Sequence, residues 1–542
     1  MNPMIRIVSL WLREAGWLLL ALLLALSALV AGVALMGLSG HYLALSLLGI
    51  AAAVPALLPF TGTARVVLRY LERVMSHEAI FRALADLRVW LFRGLAASAA
   101  GGLGFRRAGD ALARLVNDVD VLDGVFLRVF VPLLGGVLLL PILAWVLARE
   151  SLPALLVLLP FLAVAFILPW RAARAARANA ARAGLAMASL RSASLDALHG
   201  LREVKIFAAE GRMLAEVQAR EADLLAAQRD LVWRGSALNA WAFILAQGGI
   251  LLAIGCGFFG APVAAIVAVL VLVTSFETVL GLPRAGLLYG QSAAAAQRVV
   301  RAAEAGPPVP DPAKPAAMPA RNNIVFEHVA FRYAEDRPFV FENLSLQLPE
   351  GSRTAILGPS GAGKSTIAAL LLKLIAPVRG QIRLGGVDIS TLPAEALRHR
   401  IAYLGQTTHL FADTIRNNLL LGDPAADEAR LWAALEAAQV ADVVRALPEG
   451  LDSWLGEGGA TLSGGQGRRL ALARTLLMDA PILLLDEPCA GLDAATEMEF
   501  FRVLNSATEG RTVLLILHRL TGVEQLDRIW RLTGGALVAA AG

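Results

Sequence analysis

Residues 356–366 read Ile-Leu-Gly-Pro-Ser-Gly-Ala-Gly-Lys-Ser-Thr, an apolar run that breaks into a glycine-rich loop before a helical pattern begins. The segment from Gly358 to Ser365 fits the phosphate-binding pattern G-x-x-x-x-G-K-[ST], which many nucleotide-binding families share. Its glycines let backbone amides approach a phosphate, and the following helix N-terminus favours negative charge. Lys364 is suited to the β- and γ-phosphates and the Ser365 hydroxyl to Mg²⁺. The stretch therefore predicts an α/β domain that binds ATP with Mg²⁺. The predicted nucleotide contacts of this loop are Gly358, Pro359, Ser360, Gly361, Ala362, Gly363, Lys364, Ser365 and Thr366.

Two further apolar runs end in polar residues, as expected for strands of the same α/β domain. Pro481-Ile-Leu-Leu-Leu ends in Asp486 and Glu487, and Leu515-Ile-Leu ends at His518. Two acids at a strand end can be a solvated turn, and a single histidine after a strand is usually structural. The order of these motifs along the chain favours one shared site instead.

The segment Leu462-Ser463-Gly464-Gly465-Gln466 lies between the phosphate loop and the acidic strand end. In that position it resembles the signature of the ATPases of ABC transporters. The resemblance implies that Asp486 holds Mg²⁺ together with Ser365, and that Glu487 polarises the attacking water. It also implies that Gln406 senses Mg²⁺ and that His518 lies beside the γ-phosphate. Transfer of this kind depends on positioning and charge neutralisation rather than on covalent catalysis.

Further contacts follow from the same resemblance. Tyr333, in Val-Ala-Phe-Arg-Tyr, is expected to stack on adenine, and Asp493, in Gly-Leu-Asp, matches the D-loop. Ser463 and Gly465 are expected to reach the γ-phosphate of ATP held by a second ATPase domain. The chain carries one such domain, so the resemblance implies that it works as a dimer.

The first half of the chain has the composition of a membrane protein. Hydrophobic residues make up 57% of the sequence, above the ~45–50% of soluble proteins, and the mean hydropathy is +0.63. The net charge of +5 does not indicate nucleic-acid binding. The arginines lie between hydrophobic runs, where the positive-inside rule expects them.

Hydrophobic runs predict six membrane spans. No Asp, Glu, Lys or Arg occurs in the 50 residues from 15 to 64, enough for two spans of ~20 residues. Four more runs lie near 131–147, 152–170, 239–259 and 262–282. The segments 65–128 and 171–236 are arginine-rich, which places them, the N-terminus and the ATPase in the cytoplasm. The residues before the first span predict either a short interfacial helix or a frayed start of that span. No cleavable signal peptide is expected, because the first apolar run is too long.

Six prolines between 307 and 319 mark a domain boundary, because proline cannot continue a helix and favours extended chain. The predicted domains are a transmembrane domain at 1–302, a linker at 303–321 and an ATPase domain at 322–542. The end of the chain departs from the pattern of ABC ATPases, which usually continue with a Gly-x-x-x-Glu-x-Gly-Thr-His segment. We expect ATPase activity to survive this difference.

Six spans, two long cytoplasmic segments and one ATPase resemble an ABC exporter half-transporter of the type IV fold. The resemblance implies a bacterial inner-membrane protein whose cytoplasmic segments carry coupling helices. The matching stretches are 109–118 and 200–207. Their alternative interpretation is ordinary solvated helix.

The stretch Arg69-Tyr-Leu-Glu72-Arg73-Val-Met-Ser-His77 narrows the resemblance to the CydC subunits of heterodimeric CydDC-type exporters. This family implies an unlike, CydD-like partner and export of cysteine and glutathione to the periplasm in support of cytochrome bd assembly. Haem binding has also been proposed for it. Arg69, Glu72, Arg73 and His77 share one helix face, which suits haem b through imidazole on iron. The same arginines suit glutathione carboxylates, and an ion-paired helix is the other interpretation. Glu277 is a further cavity candidate.

Two other functions stay open. A homodimeric lipid or multidrug exporter has the same fold and needs no unlike partner. A haem-binding assembly or sensor ATPase without transport belongs to a different class. Uptake of substrate into vesicles separates that class from a pump.

Overall fold

The computed structural model describes residues 2–47, 57–99, 118–150, 152–257, 262–406, 409–456, 459, 461–489 and 494–540. The chain forms two compact units, which meet in sequence between Gly306 and Pro307. The first is helical and the second is α/β. No helix or strand occurs in residues 304–323, the proline-rich stretch. The exact bounds of 1–302, 303–321 and 322–542 remain a prediction.

The membrane unit consists of helices, several of them much longer than one membrane crossing. They are α1 Pro3–Trp11, α2 Ala15–Leu47, α3 Leu57–Ala99, α4 Val119–Val125, α5 Val131–Glu150, α6 Leu158–Leu162, α7 Leu168–His199, α8 Leu201–Ile206, α9 Glu210–Gly257, α10 Pro262–Val279 and α11 Leu282–Ala303. Wider π-turns at Phe126–Phe130 and Ala163–Ile167 join α4 to α5 and α6 to α7.

Five helical runs of the described residues are long and apolar enough to cross a membrane. They are Pro3–Leu47, Val119–Arg149, Leu152–His199, Glu210–Gly255 and Val263–Ala303. They agree with five of the six predicted spans. The remaining predicted span, in the second half of 15–64, crosses residues 48–56, which lie outside the described residues.

The residues ahead of the first span form the helix α1, which a 3-10 turn at Leu12–Glu14 joins to α2. Asn2 caps α1 by accepting a hydrogen bond from the N–H of Met4 at 3.1 Å, and Pro3 suits the first turn of a helix. Ile7 is fully buried, and Arg6 pairs with Glu304 at 2.7 Å beyond the end of α11. The short helix is therefore fixed at the end of α11.

The ATPase unit contains two sheets and short helices. Its strands are β1 Ile324–Phe331, β2 Phe341–Leu348, β3 Arg353–Leu357, β4 Arg379–Leu384, β5 Val387–Asp388, β6 Ile401–Leu404, β7 Ile482–Asp486, β8 Thr512–Leu517, β9 Arg528–Thr533 and β10 Ala536–Ala539. Its helices are α12 Lys364–Leu371, α13 Ala394–His399, α14 Ile415–Leu420, α15 Glu428–Ala437, α16 Ala441–Arg445, α17 Gly464–Leu477 and α18 Ala494–Ala507.

The larger sheet has the order β10-β9-β3-β8-β7-β6. Strands β9, β3, β8, β7 and β6 run parallel, and only β10 is antiparallel. Every residue of β7 and β8 is buried, which explains their uninterrupted apolar sequences. The smaller sheet, β2-β1-β4-β5, is antiparallel.

Candidate nucleotide site and membrane cavity

The predicted catalytic motifs meet because each follows a strand of one parallel sheet. The phosphate loop follows β3, Gln406 follows β6, Asp486 ends β7 with Glu487 directly after it, and His518 follows β8. The carboxyl ends of parallel strands lie at the same edge, where open α/β sheets bind ligands. The structure therefore brings these motifs together as the sequence predicts.

The phosphate loop enters α12 through Gly363, whose φ of 101° lies in the left-handed region. A Cβ at this position would lie 2.6 Å from Cγ1 of Val340 and 2.8 Å from Cζ of Phe341. Glycine is therefore required both by the backbone conformation and by the close approach of the β1–β2 connection and β2.

Lys364 lies inside the loop with 5% of its surface exposed. Its ammonium donates to the carbonyls of Gly358 at 2.5 Å and Pro359 at 3.3 Å. It also lies 3.4 Å from Nδ1 of His518. Burial lowers the pKa of Lys364, and the charges of Glu487 and Asp486 oppose that shift.

The residues present fit a Mg²⁺ ion. The Ser365 hydroxyl donates to Oδ2 of Asp486 at 2.6 Å, while Oδ1 of Asp486 is buried without a hydrogen-bond partner. Burial raises the pKa of the Asp486 carboxyl, and the bond from Ser365 opposes that shift. A buried carboxylate oxygen without a donor normally needs a partner, and carboxylate and hydroxyl oxygens are the donors that Mg²⁺ prefers.

Glu487 lies at the centre of the catalytic set. Its Oε1 is 2.5 Å from Nε2 of His518, and its Oε2 accepts a hydrogen bond from Nε2 of Gln406 at 3.0 Å. With Nδ1 of His518 accepting from Lys364, the network assigns the ring proton to Nε2. One carboxylate thus contacts both the predicted Mg²⁺-sensing Gln406 and His518, which is predicted to lie beside the γ-phosphate.

Tyr333 lies next to the phosphate-loop helix. Its hydroxyl is 2.9 Å from Oγ1 of Thr366, and its ring packs edge-on against Phe331 with centroids 5.0 Å apart. Half of Tyr333 is exposed, 51% by surface, so a ring face is open to an aromatic base.

The signature segment begins α17. Ser463 caps the helix, since its hydroxyl accepts from the N–H of Gln466 and the Gln466 side chain accepts from the N–H of Ser463. This is a capping box. Ser463 and Gly464 are exposed, and none of the hydrogen bonds among the described residues joins this segment to the phosphate loop of the same chain. Asp493 lies outside the described residues.

A cavity of about 890 Å³ lies in the membrane unit. It is lined by Arg128, by α9 and by the end of α10 and the first turns of α11. Its polar lining residues are Arg128, Ser236, Asn239, Thr278, Arg284 and Gln291. None of the described residues that line it is acidic. The sequence assigned no cavity role to Arg128 or Arg284.

The predicted cavity residues lie elsewhere. His77 is half-buried on α3, with its ring 5.8 Å from that of Phe81, and Glu277 is exposed; neither is among the lining residues. Arg69 and Arg73 precede His77 on the same helix, and within the described residues no metal-binding group of three or more His, Cys, Asp or Glu forms. Haem binding by His77 remains a prediction.

The predicted coupling stretches differ in what can be described. Of residues 109–118, the structure describes Asp118 alone. Residues 201–206 form the short helix α8 between the long helices α7 and α9, and Ile206 and Phe207 are 67% and 77% exposed. Their coupling role remains a prediction.

Comparison with known proteins places these features in a family. Residues 341–490 match the ABC transporter family and residues 55–281 match the ABC transporter transmembrane region. The glutathione/L-cysteine transport system ATP-binding/permease protein CydC of Escherichia coli K12 is 33% identical over 99% of this chain and 96% of that protein. The chain is an ABC exporter half-transporter.

Two other similarities bear on this half-transporter. The ATP-dependent lipid A-core flippase of Nitrosococcus oceani is 31% identical over 84% of this chain and 78% of that protein. A solved bacterial Atm1-family ABC exporter with ATP bound has a TM-score of 0.87 at 25% identity, over 97% of this chain and 94% of that one. The half-transporter is therefore a multi-pass inner-membrane protein that couples ATP hydrolysis in its cytoplasmic domain to transport.

Proposed function

We propose that this half-transporter pairs with an unlike, CydD-like half-transporter to export small thiols, cysteine or glutathione, from cytoplasm to periplasm in support of cytochrome bd assembly. The observation that carries the proposal is the similarity to the glutathione/L-cysteine transport protein CydC, which extends over 99% of the chain. Because this similarity covers both units, it includes the membrane helices, which are the part of a transporter that contacts the substrate.

The cavity in the membrane unit supports this substrate class. Arg128 and Arg284 contribute two positive charges to a space of about 890 Å³, within the ~300–1,000 Å³ of small-molecule sites. Guanidinium groups recognise carboxylates in a bidentate manner, and glutathione carries two carboxylates. Asn239 and Gln291 add amide groups suited to a peptide backbone.

The nucleotide roles are proposed residue by residue. Lys364 and the phosphate-loop amides hold the phosphates, and Ser365, Asp486 and Gln406 hold Mg²⁺, which neutralises phosphate charge when bound. Glu487 orients the attacking water and accepts its proton, and His518 orients Glu487. The remaining roles are adenine stacking by Tyr333, contact by Asp493 across the ATPase dimer, and contact with the partner's ATP by Ser463, Gly464, Gly465 and Gln466.

The test is uptake of radiolabelled glutathione and cysteine into inverted membrane vesicles that contain the half-transporter and any co-purifying partner. We expect ATP-dependent uptake that falls several-fold in Arg284→Gln and stays unchanged in Arg301→Gln, on the same helix outside the cavity. A lone homodimer that moves lipid and not thiol would favour the flippase alternative. ATP hydrolysis with bound haem and no uptake would favour an assembly or sensor ATPase.

A further inference from the structure

Arg468 is a buried arginine in the ATPase unit that none of the predicted roles uses. It lies on α17, two residues after the signature segment, with 8% of its surface exposed. A buried guanidinium is costly unless its donors are satisfied. Its partners therefore show what it does.

The partners of Arg468 are backbone carbonyls of two catalytic segments. Nε donates to the carbonyl of Pro488 at 2.8 Å, and Nη1 donates to that of Gln406 at 2.7 Å. Nη2 donates to the carbonyl of Asp486 at 3.0 Å and also to that of Glu487. One planar group thus joins the end of β7 to the segment that carries Gln406.

The backbone held in this way is an unfavourable one. Glu487 has a φ of 49°, a left-handed conformation that residues with side chains rarely adopt. Its N–H donates to the carbonyl of Ile516 at 2.9 Å, and its own carbonyl accepts from Arg468. The peptide groups on both sides of the Glu487 Cα are therefore fixed, one by β8 and one by Arg468. Such conformations persist where the surroundings determine them, commonly at functional sites.

We propose that Arg468 is a positioning residue for ATP hydrolysis. It holds the carbonyls from Asp486 to Pro488 and that of Gln406 in one arrangement, so that the Glu487 carboxylate faces His518 and Gln406. The proposal rests on the catalytic role proposed above for Glu487 and does not depend on the identity of the transported substrate.

Arg353 provides the matched control. Its guanidinium also donates to backbone carbonyls, those of Leu504 and Asn505, and to Oγ1 of Thr508 at 2.7 Å. These acceptors lie at the end of α18 and just after it, away from the catalytic segments. A substitution of Arg353 therefore shows how the loss of a partly buried guanidinium affects folding when no catalytic segment is involved.

The test compares steady-state kcat and KM for ATP in the full-length transporter with its co-purified partner. Arg468→Met keeps a similar side-chain length but has no donors, and we expect kcat to fall at least about tenfold with KM within about threefold. Arg468→Gln should recover part of kcat because its amide offers two donors. Arg353→Met should lower thermal stability and leave kcat within about twofold.

Three results would overturn the proposal: wild-type kcat in Arg468→Met, an equal fall in kcat in Arg353→Met, or a rise in KM that accounts for the whole loss. Trapping of ADP by vanadate gives an independent readout, since Arg468→Met should bind ATP yet trap several-fold less ADP. If Arg468→Met does not fold, Arg468→Gln decides. A reduced kcat at unchanged KM supports the positioning role, and a wild-type kcat rejects it.

Discussion

The two units place their functional residues by different physical means. In the ATPase unit, Lys364, Gln406, Asp486 and His518 are far apart in sequence but follow strands of one parallel sheet. In the membrane unit, the cavity residues come from separate helices at positions that no strand end marks. A parallel sheet turns chain order into convergence at one edge, whereas a helical bundle depends on the rotation of each helix. Single substitutions at functional residues should therefore have larger effects in the ATPase unit than in the membrane unit.

The largest expected effect is at Glu487. The Glu487→Gln change keeps the contact with Gln406 but removes the proton acceptor, so ATP turnover should fall by about 10²–10⁴, the range for a lost general base. Nucleotide affinity should change little, and the assay is phosphate release alongside equilibrium ATP binding. Glu499→Gln, an exposed residue of α18 paired with Arg502, is the control. Turnover within tenfold of wild type would remove Glu487 from the catalytic role.

Gly363→Ala should have the second largest effect, through backbone geometry. The added Cβ meets Val340 and Phe341 and the residue must keep a φ of 101°, so the loop has to shift. We expect ATP affinity to fall about tenfold or more, because phosphate binding relies on placed amides. Gly361→Ala is the comparison: it also has positive φ but an open surrounding. Equal losses in the two variants would assign the effect to φ alone.

Prediction from sequence succeeded where a motif fixes its own surroundings. The phosphate loop, the two acids at the end of β7 and His518 lie at strand ends as predicted. A polar residue that ends a buried apolar strand must lie where the chain leaves the sheet. Five spans were located because hydropathy measures burial in lipid directly.

Residues whose role depends on packing between distant elements could not be predicted from the sequence. Arg468 follows the signature like any helical arginine, and nothing in its neighbours indicates that it binds carbonyls after β7. Arg128 and Arg284 line a cavity only because of how their helices are rotated, which composition does not record. His77 was selected because it shares a helix face with Arg69, Glu72 and Arg73, yet it is not among the residues that line the cavity.

One close contact in the membrane unit should make a single substitution strongly destabilising. A Cβ at Gly286 on α11 would collide with the backbone of Pro169 at the start of α7. Gly286→Ala must separate two packed helices, and overpacking of this kind costs about 1–3 kcal/mol. Thermal unfolding of the full-length protein in detergent measures the loss. Gly248→Ala, where a Cβ meets nothing within 4 Å, is the control. Equal stability of the two variants would show that α7 and α11 tolerate separation.

The smallest effects are expected from two ion pairs at the start of α4, which differ in burial. Arg298 donates two hydrogen bonds to Asp118, at 2.6 and 2.9 Å, and the Asp118 side chain is 13% exposed. Arg88 donates one hydrogen bond to Asp120 at 2.8 Å, and both side chains are about half exposed. A bidentate, partly buried pair is stronger than an exposed one.

We expect Asp118→Asn to lower the free energy of unfolding by about 1–2 kcal/mol and Asp120→Asn by about 0–1 kcal/mol. Salt separates the two causes, because the Debye length falls from ~10 Å at 0.1 M to ~3 Å at 1 M, and exposed pairs are screened much more than partly buried ones. The Asp120 effect should vanish at 1 M salt while most of the Asp118 effect remains. If both effects vanish at 1 M salt, surface charge alone accounts for the contact between Asp118 and α11. If the Asp118 effect persists, a partly buried ion pair between residues far apart in sequence holds two helices of the membrane unit together, as the shared sheet holds the catalytic side chains of the ATPase unit together.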